Sequence, residues 1–121
     1  MTQNQQEKKI EKMILILKYI KSNVKPNGSI SPINDDDFYQ LYLLRDSGYI
    51  EFNDKNTSSG YVISKIKITN SGHAFIETLG DNKVLEYVKE ETKSAGRKFN
   101  ELAIDTIFKM GQKYLESTLG L

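Results

Sequence analysis

The sequence predicts an α+β fold, mostly helical, in one domain. Three observations lead there. Apolar residues recur at helical spacing in five stretches, two stretches near the middle alternate like strands, and Pro, Gly and Asn fall where elements must stop. A chain of 121 residues suits a single domain and buries roughly two-thirds of its unfolded surface, enough for a core without staples.

The elements follow in order. Ile10, Met13, Ile14, Leu17, Ile20 and Val24 form one stripe, so a first amphipathic helix is expected from about residue 5 to 23, with Leu15 and Tyr19 as a separate pair off that stripe. "KPNGSISP" ends it, because Pro and Gly punctuate and the residue before Pro avoids helical angles. A second helix is expected from Asp35 to about Ser47, with Asn34 as N-cap and Gly48 at the left-handed C-terminal position. "YIEF" and "YVISKIKIT" read as two strands, the second alternating Lys65 and Lys67 with Ile66 and Ile68. The polar "NDKNTSSG" between them predicts a hairpin with a long tip. Thr69 can cap a third helix, "NSGHAFIETL", which Gly80 ends. A fourth helix runs from Asp81 to about Ala95, with Val84, Leu85 and Val88 on one side and Gly96 beyond its end. The last, about Lys98 to Thr118, carries one stripe of Phe99, Ala103, Ile107, Met110 and Tyr114, and a second of Ile104, Phe108, Gly111, Leu115 and Leu119.

Helix, helix, hairpin, helix is the order of a winged helix-turn-helix with a two-stranded wing. "GSISPI" leaves room for only a turn or a stub of helix before the reading helix. Residues 1–80 would form this core, and residues 81–121 a helical pair packed on it and forming a dimer interface. The hairpin should bury Ile50, Phe52, Ile66 and Ile68 against the helices.

"QLYLLRDSGYI", "KITNSGHAFIETLGDNKVLEYVKE" and "NELAIDTIFKMGQKYLESTLGL" together resemble a family of small bacterial and prophage proteins, catalogued as a domain of unknown function with a winged-helix core. The likeness covers about Asp36 to Leu121, with Thr69-x-x-Gly72-His73-x-Phe75 as its signature. It implies the fold and a mobile-element setting; it implies no activity.

Composition narrows the function classes. There is no Cys, so disulfides and thiolate metal sites are excluded. A net charge of +1 gives no global attraction to nucleic acid or an anionic membrane. The longest apolar run, Met13 to Leu17, is far short of the ~20 residues of a membrane span. The polar start lacks the apolar stretch of a signal peptide, so a cytoplasmic protein is expected. His73 is the lone histidine, no Ser stands in a triad context, and the aspartates lack the spacing of a calcium loop. The chain is therefore read as a non-enzymatic binding module without metal or cofactor.

Asp35, Asp36 and Asp37 occupy the first turn of the helix that would enter a DNA groove. Carboxylates there favour the helix dipole by ~0.3–1 kcal/mol each, yet each would oppose a phosphate 4–8 Å away by about 0.5–1 kcal/mol even in water. DNA is therefore disfavoured, and Asp35, Asp36, Asp37, Tyr39 and Gln40 are read as facing an unidentified protein partner. The rival reading is a DNA-binding regulator in which Lys8, Lys9, Lys12, Lys65 and Lys67 meet phosphate while Tyr39 and Gln40 approach bases. The last helix is apolar over about half its circumference, more than the ~100° that one covered face needs. One side could cover the chain's own Leu15 and Tyr19. Ile104, Phe108, Leu115 and Leu119 are expected to form a homodimer surface.

Overall fold

The computed structural model describes residues 7–119. Its elements are helix α1 (Ile10–Asn23), strand β1 (Gly28–Ile33), helix α2 (Asp35–Asp46), strands β2 (Ile50–Thr57) and β3 (Gly60–Ile68), and helices α3 (Asn70–Leu79), α4 (Asn82–Ser94) and α5 (Ile104–Leu119), with a 3₁₀ turn over Phe99–Glu101. The strands form one antiparallel sheet in the order β1-β3-β2. The fold is α+β, as the sequence predicts.

Residues 5 and 6 of the expected first helix lie outside the described residues, and residues 7–9 are not helical. Helix α1 starts at Ile10 and has no side-chain cap of its own. Its opening N–H groups find acceptors far along the chain: Gln40 Oε1 takes the Lys9 N–H at 2.8 Å and Asn100 Oδ1 the Ile10 N–H at 3.0 Å. Downstream, Pro26 and Asn27 occupy the centre of a type II turn. Asn27 takes φ 65°, and the Gly28 N–H donates to the Lys25 carbonyl at 2.8 Å.

"GSISPI" is a strand rather than a helical stub. Strand β1 pairs with β3 through Gly28↔Ile66, Ile30↔Ile63 and Ile33↔Tyr61, with register shifts between these pairs. Those shifts break the period-two pattern that would have announced it. The hairpin tip is also short: β2 stays paired through Thr57↔Gly60, leaving Ser58 and Ser59 as the loop. The Thr57 hydroxyl donates to the Gly60 carbonyl at 2.7 Å and accepts the Ser59 N–H at 3.2 Å. Lower down, β3 carries one residue more than β2 between Glu51↔Lys67 and Asn53↔Ser64, and in this bulge Lys65 takes φ 54°.

Helix α2 runs as expected from its Asn34 cap, whose side chain accepts the Asp37 N–H at 2.8 Å, and Gly48 takes φ 84°. Its inner side packs on the β2–β3 hairpin. Phe38 stacks on Tyr61 with centroids 3.8 Å apart and meets Phe52 edge-on at 6.3 Å. Thr69 caps α3 by accepting the Gly72 N–H at 3.0 Å, and its own hydroxyl donates to the Gly48 carbonyl at 2.7 Å. A Cβ on Gly72 would stand 1.9 Å from the Tyr49 carbonyl oxygen, so only glycine allows α3 to lie this close. The signature motif is thus a joint between α2, β2 and α3, with Phe75 fully buried behind it.

The expected last helix is interrupted. Phe99 lies in the 3₁₀ turn and Ala103 precedes α5, so neither belongs to its stripe. This turn holds Asn100 against the start of α1. One core unites all the layers: Ile10, Leu17, Leu44, Ile63, Phe75, Val88 and Ile107 are members of it. Of the expected wing residues, Ile50, Phe52 and Ile66 are buried and Ile68 is half-buried.

Candidate functional site

The site expected from the sequence divides in two when placed on the fold. Asp36 and Asp37 do not stand free. Lys12 reaches both, pairing with Asp36 and lying 2.8 Å from Asp37, while Lys9 lies 3.2 Å from Asp36. The hydrogen bond from Lys12, helped by Lys9 and Gln40, holds the Asp36 carboxyl below its usual value, and the bonds that Lys12 makes to Asp36 and Asp37 raise its own. Two of the three aspartates and two of the expected phosphate-binding lysines therefore neutralise one another.

Gln40 is no reader of bases or partners. It is fully buried, and its amide donates to the Glu7 carbonyl at 2.7 Å while its oxygen accepts from Lys9. This corrects its assignment to the outer face. Lys8 is likewise engaged, donating to the Leu102 carbonyl. Lys65 and Lys67 remain exposed on β3 without an ion pair among the described residues.

The outward face of α2 is left to Asp35, Tyr39, Tyr42 and Asp46. Their spacing of four, three and four residues puts all of them within one narrow stripe at ~100° per residue. Asp35, Tyr42 and Asp46 are exposed and Tyr39 is half-buried. Tyr42 and Asp46 were missed as site residues, although the spacing is legible in the sequence. Arg45, the helix's only cation, lies between the Tyr42 ring, 5.8 Å away, and the β2–β3 hairpin. Its guanidinium donates to Asp54 at 2.8 Å and to the Phe52 carbonyl at 3.2 Å, and it lies 4.3 Å over the Phe52 ring. Helix α2 and the β2–β3 hairpin are thereby locked as one unit, with an acidic, aromatic outer stripe.

The expected dimer surface changes in the same way. Ile104 is buried at 7% exposure, and the Phe108 ring lies half-buried, 6.0 Å from Tyr49 and 5.9 Å from Phe75. Both belong to the chain's own interior, because α5 packs on α3 and α4 rather than over Leu15 and Tyr19. Those two residues stay exposed on α1, at 65% and 56%. Leu115 is half-buried, and only Leu119, at 65%, is open to a partner.

Nearby, the buried Tyr49 hydroxyl donates to Asp105 at 2.7 Å; burial, with help from that carboxylate, pushes its pKa up. Among the described residues no group of three His, Cys, Asp or Glu side chains could hold a metal ion. No described helix is long and apolar enough to cross a membrane. No family model, curated protein or solved structure matches the chain.

Proposed function

We propose that this chain is a non-enzymatic winged-helix module that works through protein contacts, with the outer stripe of α2 and the adjoining wing as its interface. The observation that carries the reading is the stripe Asp35, Tyr39, Tyr42 and Asp46, whose neighbouring cation, Arg45, lies 5.8 Å over the Tyr42 ring and is paired with Asp54 on the hairpin, leaving Asp35 and Asp46 without an ion pair among the described residues. Tyrosines supply large contact area at low entropic cost, and the flanking carboxylates suit an Arg- or Lys-bearing protein surface.

The order α1, β1, α2, β2, β3 and the sheet order β1-β3-β2 support the winged-helix reading. Only one helix stands between β1 and β2. A DNA-reading helix-turn-helix uses two, the first crossing the phosphate backbone and the second entering the groove. The bracing helix is thus missing along with the basic reading face. The bacterial or phage mobile-element setting rests only on the resemblance over about Asp36 to Leu121, and a cytoplasmic location belongs to the same proposal.

A DNA-binding regulator is the second reading, and the exposed Lys65 and Lys67 favour it. Self-association belongs to the proposal on a smaller surface than the sequence suggested, centred on Leu119.

Affinity capture from a nuclease-treated extract of the native host tests the interface. A protein that co-purifies with the wild-type chain and is lost with Tyr39→Ala plus Tyr42→Ala supports it. Capture that disappears with nuclease, or that ignores the two substitutions, contradicts it.

A further inference from the structure

We propose that the cleft between the end of α1 and the start of α3 binds a small organic anion: a compact apolar body carrying one carboxylate or phosphate. The cleft has a volume of about 260 Å³. Ile20 and Ile66, both nearly fully buried, lie at its bottom, with Val24 and Ile68 on its walls. Pro26, Lys21, Lys25, Lys67 and His73 complete the lining.

The three lysines differ from Lys8, Lys9, Lys12 and Lys18, whose ammonium groups are already engaged. Lys8 and Lys18 donate to the carbonyls of Leu102 and Gly80, and Lys9 and Lys12 pair with aspartates. Among the described residues, neither an ion pair nor a side-chain hydrogen bond engages Lys21, Lys25, Lys67 or His73. Glu51 stands opposite Lys67 in the β2–β3 register and Glu77 one turn beyond His73, yet neither forms an ion pair with the cleft. No carboxylate lines the cleft, so positive charge converges on a concave, apolar-bottomed space, the arrangement that focuses potential on an anion.

The rim is built in advance. The type II turn at Lys25–Gly28 is fixed on the sheet by the Asn27 N–H, which donates to the Ile66 carbonyl at 2.7 Å. A Cβ on Gly28 would approach the Lys25 carbonyl to 2.8 Å, so glycine is needed where the turn meets β1. The backbone of Lys25 is thereby fixed against β3 before any ligand arrives, which lowers the cost of ordering that segment on binding.

The volume falls below the ~300–1,000 Å³ of sites for drug-sized ligands, which limits the apolar body to about one ring or a short chain. A phosphodiester backbone would satisfy the lysines but leave the apolar bottom unfilled. This inference is independent of the α2 interface.

An NMR titration of the uniformly ¹⁵N-labelled full chain tests it, using benzoate, phenyl phosphate, inorganic phosphate and benzyl alcohol as probes. The expected result is shifts confined to residues 20–28 and 66–73, with benzoate or phenyl phosphate binding at least tenfold tighter than either inorganic phosphate or benzyl alcohol. The tighter of the two aromatic anions identifies the head group. Lys25→Glu with Lys67→Glu should weaken that binding at least tenfold with the circular dichroism unchanged; Lys21→Gln, at an exposed helical position, serves if the double variant fails to fold. Inorganic phosphate matching phenyl phosphate, a short DNA duplex displacing it, or equal responses from wild type and variant would each overturn the proposal.

Discussion

Asp36 shows how a side chain changes meaning when its neighbours come from elsewhere in the chain. Read along the helix it is one of three repelling charges; in the fold it accepts from Lys12, Lys9 and Gln40. Its carboxyl is held below the usual value, chiefly by the Lys12 hydrogen bond. The linkage therefore has a definite sign. The contribution is fully present above the unfolded carboxylate value, near pH ~4, and is lost as pH falls through the lower folded value. Asp36→Asn should lower the urea midpoint at pH 7 and flatten its decline below about pH 4; a variant with an unchanged acid limb would contradict the pairing. Gln40 was the residue least legible in advance. It lies roughly 140° round α2 from Asp35 at ~100° per residue, which points it inward. Its role as a surrogate cap for α1 depends on Glu7 and Lys9, more than thirty residues away, and no local pattern encodes that.

Elements with local signals were legible, and those defined by pairing were not. Asn34, Thr69 and Asp81 cap α2, α3 and α4 through their own side chains, so those helix starts could be read directly. Strand β1 was missed because its irregular register separates Ile30 from Ile33 by an odd number of residues, hiding the strand period. The outer part of the β2–β3 hairpin reads as loop in the sequence because "NDKNT" offers nothing apolar, although a solvated ribbon needs only its ladder and turn. The interruption before α5 was hidden by apolar residues that continued the helical spacing through a 3₁₀ turn. The most demanding joint is Gly72. Gly72→Ala forces the start of α3 away from the Tyr49 carbonyl and should cost about 2–4 kcal/mol, more than the usual range for a surface change. Urea denaturation monitored by circular dichroism reads this directly; a loss under about 0.5 kcal/mol would mean that the joint gives way freely.

For the whole molecule, near-zero net charge conceals a sorted surface. Acid and aromatic side chains occupy the outer stripe of α2, whereas Lys21, Lys25 and Lys67, without an ion pair among the described residues, gather at the other end of α1. Self-association is limited by the burial of Ile104 and the partial burial of Phe108. An obligate dimer normally buries well over ~1,200 Å², and the open remainder around Leu119 supports only weak pairing. Sedimentation equilibrium should show a concentration-dependent monomer–dimer mixture at ~100 µM that Leu119→Glu converts to monomer. A tight dimer indifferent to that substitution would place the interface elsewhere.

Whether the outer face of α2 and the adjoining hairpin address protein, as proposed, or DNA is decided by the anisotropy of labelled mixed-sequence duplex DNA at two salt concentrations. A protein-binding surface gives no DNA binding at ~50 mM salt. Tight binding that falls with salt at about −0.9 per phosphate contacted and is abolished by Lys65→Glu with Lys67→Glu would overturn the proposal.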